Sequence, residues 1–283
     1  MFNEFRNSIC DFLNSVDLSF EETSDVFILR DRRFLIFPVP LSGFITCDSS
    51  KVFRNLAADA ENELYEGYDI FYLYEDRWRS AGDLCKSRIL TASVRFRSVF
   101  ARKCSIISGG GSSEKIKRFI NAYHSYGYVK SRYLFALRTG EGTVAAASFS
   151  SPRPIIRDME DSSRVRFLSY EWTRFAVLPG VRVAGGMGKL LNAFICSLRA
   201  EHGAIPMEIM TYSDNEWSCG RSYGKLGFKY VSDRAPVKYY VNAGTFERIP
   251  QRRFQSSLFA ENPEGKYYAI TNMGSRKYIL PVL

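Results

Sequence analysis

The stretch Arg174-Phe-Ala-Val-Leu-Pro-Gly-Val-Arg-Val-Ala-Gly-Gly-Met-Gly-Lys-Leu-Leu191 decides how the chain is read. Its first residues belong to a stretch from Tyr170 to Val177 that reads as a strand, and Pro179-Gly180 breaks it. Met187, Leu190, Leu191, Phe194, Ile195 and Leu198 then recur at helical spacing and mark one helix face. A glycine turn between strand and helix lets a ligand approach the backbone closely, because no Cβ stands in the way. The helix N-terminus offers its amides to negative charge. The same Gly185-Gly-Met-Gly188 also suits a tight turn without any ligand.

Upstream, strands are expected at Tyr133–Arg138 and Thr143–Ser150, a polar loop at Ser151–Ser163 and a long strand at Val165–Val177. Downstream come a helix over Gly186–Arg199, a strand over Pro206–Tyr212, a short helix near Ser218–Leu226, and strands at Lys229–Val231 and Lys238–Val241. That order predicts an α/β (α+β) domain, a mixed sheet with flanking helices. Gly109-Gly-Gly-Ser-Ser113 suits a linker, or only a loop before a helix over Lys115–Tyr123.

The N-terminal part reads as a helix over Phe2–Val16, then strands at Val26–Leu29 and Phe34–Val39 joined by a turn at Arg30–Arg33. A helical stretch over Ser50–Glu66, a strand over Tyr68–Tyr74 and a helix over about Glu75–Leu90 follow. The C-terminal remainder holds Arg248, Arg252 and Arg253 and strand-like runs at Lys266–Ile270 and Lys277–Val282. Three segments are expected: an α/β domain over 1–108, a second domain over 109–245 and a basic extension over 246–283.

Tyr223-Gly-Lys-Leu-Gly-Phe228 is similar to the end of GNAT acyltransferase domains, and the glycine turn resembles their cofactor loop. Two registers fit that loop. Arg182-x-x-Gly185 ends in Met187, and Val183-x-x-Gly186-x-Gly188 keeps both glycines but starts on valine. With Glu171-Trp-Thr-Arg-Phe175 and Ser213-Asp-Asn-Glu-Trp217, the chain resembles the Mom-type DNA-modification proteins of phages. In related proteins that domain follows a Vsr-like or homing-type nuclease domain. Tyr74-Glu-Asp-Arg-Trp78, Lys86-Ser-Arg-Ile89, Ala101-Arg-Lys-Cys104 and Tyr123-His-Ser-Tyr-Gly127 fall in the order such fusions show, so the resemblance covers roughly residues 65–245.

The resemblance implies a GNAT-like fold preceded by a small, degenerate restriction-endonuclease-like α/β domain. It implies acetyl-CoA or another acyl-CoA, held by Phe175, Val177, Val183, Ala184, Gly185, Gly186, Met187, Gly188 and Lys189. Acyl transfer needs a positioned amine, a proton acceptor and a donor to the departing thiolate. The residues implied around the acceptor are His124, Glu171, Arg174, Asp214 and Tyr223. Among them Glu171 would take the amine proton, Arg174 would meet a phosphate or carboxylate, and Tyr223 would protonate the thiolate. Tyr212 and Trp217 would stack on a flipped base. His124 and Asp214 are implied as ligands of Fe(II). Glu171 and Arg174 can point the same way only if a bulge intervenes. A structural histidine, a helix cap at Asp214, a strand ion pair and aromatic core packing are the plain readings of the same residues.

A nuclease of the expected class needs an acidic residue at a strand start and an acidic-x-Lys pair on the next strand. The strands in question, Phe34–Val39 and Phe44–Thr46, contain no acidic residue. Asp31 and Asp48 flank them, and Lys51 opens the next helix. Metal-dependent cleavage is therefore not expected.

Of 283 residues, 46% are hydrophobic, 24% charged and 15% aromatic, which suits a folded chain of two domains. No apolar run is long enough to span a membrane, so a cytoplasmic protein is expected, in the host cytoplasm if phage-encoded. The six cysteines have no Cys-x-x-Cys spacing and read as reduced, mostly buried thiols. Residues 1–110 hold 14 Lys+Arg against 16 Asp+Glu, and residues 111–283 hold 25 against 14. That excess suits a polyanionic partner or an anionic cofactor, or simply a basic soluble surface. The resemblance implies acyl-CoA-dependent modification of a nucleic-acid base, with nucleic acid, DNA more than RNA, as the partner. A non-catalytic nucleic-acid-binding accessory protein, or an N-acetyltransferase of a protein or small amine, are the other readings.

Overall fold

The computed structural model describes residues 2–46, 65–109, 111, 113–158, 164–203, 205–254 and 266–282. In chain order the strands are β1 (Glu21–Glu22), β2 (Phe27–Leu29), β3 (Phe34–Val39), β4 (Asp69–Tyr74), β5 (Arg97–Phe100) and β6 (Ser105–Ser108). Next come β7 (Tyr133–Thr139), β8 (Gly142–Phe149), β9 (Arg153–Asp158), β10 (Arg164–Val177), β11 (Val181–Ala184) and β12 (Met207–Asp214). The last are β13 (Lys229–Arg234), β14 (Lys238–Asn242), β15 (Arg248–Pro250), β16 (Tyr267–Thr271) and β17 (Ser275–Val282). The helices are α1 (Phe2–Ser15), α2 (Gly43–Thr46), α3 (Glu75–Ser80), α4 (Gly82–Ala92), α5 (Ser113–Tyr123), α6 (Gly186–His202) and α7 (Arg221–Gly224). The expected class holds: mixed sheets with flanking helices.

The chain forms two compact units, and neither is continuous in sequence. The first takes residues 1–93, 213–220 and 233–276, and the second takes 94–212, 221–232 and 277–283. The described residues Gly109, Gly111 and Ser113 therefore lie inside the second unit and not at a boundary between units. The reason lies in strand pairing: β6, just before them, bonds antiparallel to β7, and β5 bonds parallel to β11. Nor is 246–283 an appendage. β15 and β16 flank β14 in a three-stranded sheet, and β17 lies between β13 and β12 in an eight-stranded one.

In the first unit β1 to β4 form one sheet in sequence order, with β3 and β4 parallel from Phe34–Asp69 to Val39–Tyr74. All six residues of β3 are buried because both faces are covered. Phe34 and Ile36 join Phe5, Ile9 and Leu13 of α1 and Cys85 and Ile89 of α4. Leu35, Phe37 and Val39 meet Val241, Ile270 and Met273 on the other side. The expected strand at Phe44–Thr46 is the short helix α2, so β3 has β2 and β4 as its neighbours. The expected helix over Glu75–Leu90 breaks at Ala81 into α3 and α4. Asp48, Lys51 and nearly all of Ser50–Glu66 lie outside the described residues.

A buried ionic cluster ties this unit together. The Arg248 side chain, 3% exposed, donates to both carboxylate oxygens of Asp76 and both of Glu216, at 2.5–3.1 Å. Its guanidinium carbon lies 4.7 Å from the centre of the Tyr74 ring. Burial pushes the Glu216 carboxyl up to about 7, against the pull of Arg248.

The second unit is built on the sheet β13-β17-β12-β10-β8-β7-β6, with β9 added along β10. Ser151–Ser163, expected as a loop, contains β9, paired antiparallel with the first half of β10. Leu190, Leu191, Phe194 and Leu198 of α6 pack on one face of the sheet with Phe149, Tyr170 and Trp172. Ile116, Phe119 and Ile120 of α5 pack on the other with Ala136, Ala146 and Ala176. Among the described cysteines only Cys85 and Cys104 are buried, Cys10 and Cys219 are half-buried and Cys196 is exposed. Among the described residues no helix is long and apolar enough to cross a membrane.

Removing the cation from between two buried carboxylates leaves charge uncompensated, so Arg248→Met is expected to cost about 3–5 kcal/mol in urea unfolding. Glu216 holds its proton more tightly folded than unfolded, so its contribution favours folding while protonated. That contribution is lost as pH rises from about 4.5 to about 7, by roughly 3 kcal/mol at most, and is level above. Urea midpoints from pH 5 to pH 8 should fall for the natural chain, and less steeply for Glu216→Gln.

Candidate functional site

The site grows from an irregularity in β10. Where β8 runs antiparallel to it, Trp172 faces Phe149 and Arg174 faces Ser148, so Thr173 is one residue too many. This is a β-bulge. Upstream of it Ser150 N donates to Glu171 O at 2.9 Å, and downstream Leu178 N donates to Val144 O at 3.0 Å. Odd-numbered residues therefore bond toward β8 before the bulge, and even-numbered ones after it. Phe175 and Val177 consequently turn their N–H and C=O groups to the opposite edge.

On that edge β12 runs parallel to β10, in register only from Leu168–Met207 to Glu171–Met210. A side chain makes the next tie, Thr211 Oγ1 donating to Trp172 O at 3.2 Å. Beyond it, no strand among the described residues pairs with β10 on this side. The parted strands leave a main-chain edge at Phe175 and Val177, at the same end of β10 as the glycine turn.

The bulge also sets which side chains share a face. Tyr170 and Trp172 point into the α6 core and Ala176 into the α5 core. Glu171 lies between the first two, and Arg174 lies two residues before Ala176. Both are thus on the α5 face, as the sequence allowed only with a bulge. Met210 and Tyr212 follow by alternation, because Met207 and Ile209 lie in the α6 core.

Arg174 Nε donates to Gly127 O at 2.8 Å and its Nη1 to Thr173 O at 2.7 Å, fastening the loop after α5 to the bulge. Gly127 has φ +61°, and a Cβ there would stand 2.8 Å from Asn121 Oδ1. In that loop His124 Nδ1 accepts from Tyr126 N at 3.1 Å, leaving Nε2 as the second ring nitrogen. Arg153, from β9, places Nη2 4.0 Å from Glu171 Oε2 and 3.8 Å from Met210 Sδ. Glu171, Arg174 and Tyr212 are therefore on one face, and Arg174 ties to it the loop that carries His124.

Tyr223 is on the opposite, α6 face. Its hydroxyl is hydrogen-bonded to Thr211, beside the point where β10 and β12 part, and burial raises its pKa. Its ring lies 6.0 Å from that of Trp172 and 5.7 Å from that of Phe228.

The glycines of the turn have separate reasons. Gly185 caps α6 at φ +75°, a left-handed conformation that resists a side chain. A Cβ on Gly186 would lie 3.0 Å from Val183 Cγ1, whereas one on Gly188 would meet nothing closer than 3.4 Å. The first amides of α6, at Gly186, Met187 and Gly188, have no acceptor within the helix. Val183 and Ala184 belong to β11, whose backbone pairs with Val99 and Phe100. Lys189 Nζ donates to Ala101 O at 2.9 Å and Cys104 O at 2.6 Å, so its charge is directed to carbonyls of a neighbouring turn. Arg182 lies over the Phe96 ring at 5.3 Å. An open groove of about 970 Å³ runs beside the turn, lined by Phe100, Gly185, Gly188, Lys189, Asn192 and Cys196.

Two expected site residues fall in the first unit. Asp214 accepts from Glu216 N at Oδ1, 3.0 Å, and its carbonyl accepts from Trp217 N and Ser218 N at 3.0 and 2.9 Å, closing a turn. The Trp217 ring packs edge-on against Phe71 at 5.1 Å. His124 belongs to the second unit. Among the described residues no three His, Cys, Asp or Glu side chains are grouped to hold a metal ion, so no ligand set for iron is present there.

Sequence reasoning passed over Arg153 and Thr211. The alternation in Arg153-Pro-Ile-Ile-Arg-Asp158 could have exposed β9, but Thr211 carries no signal beyond being a threonine in a strand.

No family model and no curated protein matches the chain. Among solved structures it is similar to an acetyltransferase of Bacillus subtilis in complex with CoA, at 15% identity and TM-score 0.37, over 64% of this chain and all of that one. It is also similar to the ribosomal-protein-S18-alanine N-acetyltransferase of Escherichia coli, at 14% identity and TM-score 0.34, over 63% of this chain and 94% of that one. A polyamine N-acetyltransferase of Drosophila melanogaster is similar at 11% identity and TM-score 0.33, over 63% of this chain and all of that one.

If Arg174 fastens the loop, Arg174→Ala should speed amide hydrogen exchange at Tyr126–Ser131 by about tenfold or more, since hydrogen bonds from a charged group contribute about 1.5–3 kcal/mol. Arg174→Lys should not restore protection, because an ammonium cannot reproduce the two-carbonyl fork.

Proposed function

We propose that the second unit is an acyl-CoA-dependent N-acyltransferase of the GNAT type, and that its acceptor is an amino group of a nucleic-acid base, as in the Mom-type proteins its motifs resemble. The observation that supports the transfer is the unpaired edge of β10 at Phe175 and Val177, opening toward the glycine turn. An extended, amide-bearing arm can add to such an edge as a strand would, main chain to main chain. The amides of Gly186, Met187 and Gly188 suit its phosphates, with the close approach that Gly185 and Gly188, which line the groove, permit. Lys189, turned to Ala101 O and Cys104 O, is left out of this role.

Acyl-CoA, when bound, supplies an acyl carbon activated as a thioester. The residues divide the remaining work by face. On the α5 face Glu171 takes the proton of the attacking amine, with Arg153 holding its carboxylate. His124 and Tyr212 border the acceptor there. Arg174 acts through the loop it fastens and so positions the acceptor side. On the α6 face Tyr223, kept protonated by burial, gives its hydroxyl proton to the leaving sulfur. Asp214 and Trp217 are assigned no step.

Calorimetry with acetyl-CoA should show binding that Gly186→Glu abolishes, because its Cβ would stand 3.0 Å from Val183 Cγ1 and push the turn out of the conformation that presents its amides. No binding of any acyl-CoA would sink the transferase reading. Mass spectrometry of nucleosides from DNA and tRNA of expressing cells should show an acylated base, reduced more than a hundredfold by Glu171→Gln. Acyl-CoA binding with unmodified nucleosides would move the acceptor to a protein or small amine.

A further inference from the structure

The division into units redistributes charge in a way the linear sequence conceals. The second unit holds 22 Lys+Arg against 8 Asp+Glu, net +14, while the first holds 17 against 22, net −5. Attraction for a polyanion therefore belongs to the unit that holds the parted strands.

Its α5 face adds a second feature. Tyr123 ends α5 and packs against its core, the loop after it presents His124, Tyr126 and Tyr128, all half-buried, and Tyr212 at the end of β12 is half-buried too. The loop is held by several bonds, among them Arg174 to Gly127 O, Tyr126 N to His124 Nδ1, and Ser131 N to the Tyr128 hydroxyl at 3.1 Å. Rings held in place before a ligand arrives lose little entropy on stacking. Cations surround them. Lys117 lies 6.0 Å from the Tyr128 ring while also paired with Glu114, Lys130 is exposed in the same loop, and the Arg153 side chain is 61% exposed. Glu171 and Glu208 are carboxylates on this face, set against Arg153 and Arg157.

We propose that this face binds a single-stranded stretch of polynucleotide, with Tyr126, Tyr128 and Tyr212 as stacking platforms and Lys130 and Arg153 on the phosphates. The inference rests on the reading of the α5 face as the acceptor side, and it names the form of the acceptor. Stacking on tyrosine needs a base with a free face. In a duplex every face is covered by the neighbouring pair, so each base would have to be pulled out at a cost of a few kcal/mol. An unpaired strand meets no such cost, and cations beside aromatic rings grip it without regard to sequence.

The test is fluorescence anisotropy of the full chain with a labelled 12-nucleotide single strand, as DNA and as RNA, and with the blunt duplex of the same sequence, across a range of salt. The single strand should bind at least tenfold more tightly than the duplex. Tyr126→Ala should weaken it about tenfold, whereas Tyr126→Phe, which keeps the ring, should not. Lys130→Ala, an exposed change that leaves folding alone, should lower the slope of log affinity against log salt by about 0.7. Duplex bound as tightly as single strand, or polyglutamate bound as tightly as either, would overturn the proposal, as would binding indifferent to both Tyr126→Ala and Lys130→Ala. Acetyl-CoA calorimetry on the same protein reports separately, so loss of the transferase reading and loss of this one are distinguishable.

Discussion

Thr173 is the residue on which the second unit turns. One inserted residue in a strand reverses both of its alternations at once, the side chains between faces and the main-chain groups between edges. Here the first reversal puts Glu171 and Arg174 on the same face, and the second turns Phe175 and Val177 toward the side that β12 leaves. A bulge of this kind needs its own polar groups satisfied. Thr173 Oγ1 lies 2.7 Å from Ser148 Oγ and 3.0 Å from Ser131 Oγ, it donates to Ser148 O, and Thr173 O accepts from Arg174. The insertion is thus held by four contacts and is no loose defect in the ladder.

The first unit is organised by a different constraint. Arg248, Asp76 and Glu216 come from three segments far apart in sequence, 172 residues separating the first two. Buried charges gain stability only when paired in good geometry, and a missing partner is costly. The cluster therefore demands that 213–220 and 233–276 be folded with the N-terminal sheet. It also accounts for where Asp214 and Trp217 went: the turn that carries Glu216 takes its neighbours with it.

What the sequence made legible was local. The strand through Val177, the helix from Gly186 and the fully apolar strand Phe34–Val39 all emerged from periodicity, because burial on one or both faces is written in residue type. The bulge was legible only as a condition, since spacing shows that Glu171 and Arg174 disagree by one residue but not how the strand resolves it. Gly109–Ser113 misled because glycine and serine report backbone freedom, which a loop before α5 needs as much as a linker does. The unit boundaries were out of reach, since they depend on pairings such as β5 with β11 and on Arg248 finding carboxylates elsewhere in the chain. Lys189 illustrates the same gap at one residue: a lysine beside glycines suits phosphate, and only tertiary structure supplies the competing carbonyls of Ala101 and Cys104.

The two faces of the sheet bear on how one site could keep its protons in order. Tyr223 and Thr211 stand on the α6 face and Glu171 on the α5 face, and the sheet between them is continuous up to Glu171 and Met210. Placed on opposite faces, they can meet the same reacting centre only through the gap that begins at Trp172. Thr211 sits at that gap with its hydroxyl on Trp172 O and its hydrogen bond to Tyr223. Under the proposed transfer, the strand parting is where an acyl group could be reached from both sides, and the bulge is what puts Glu171 and Arg174 on one face.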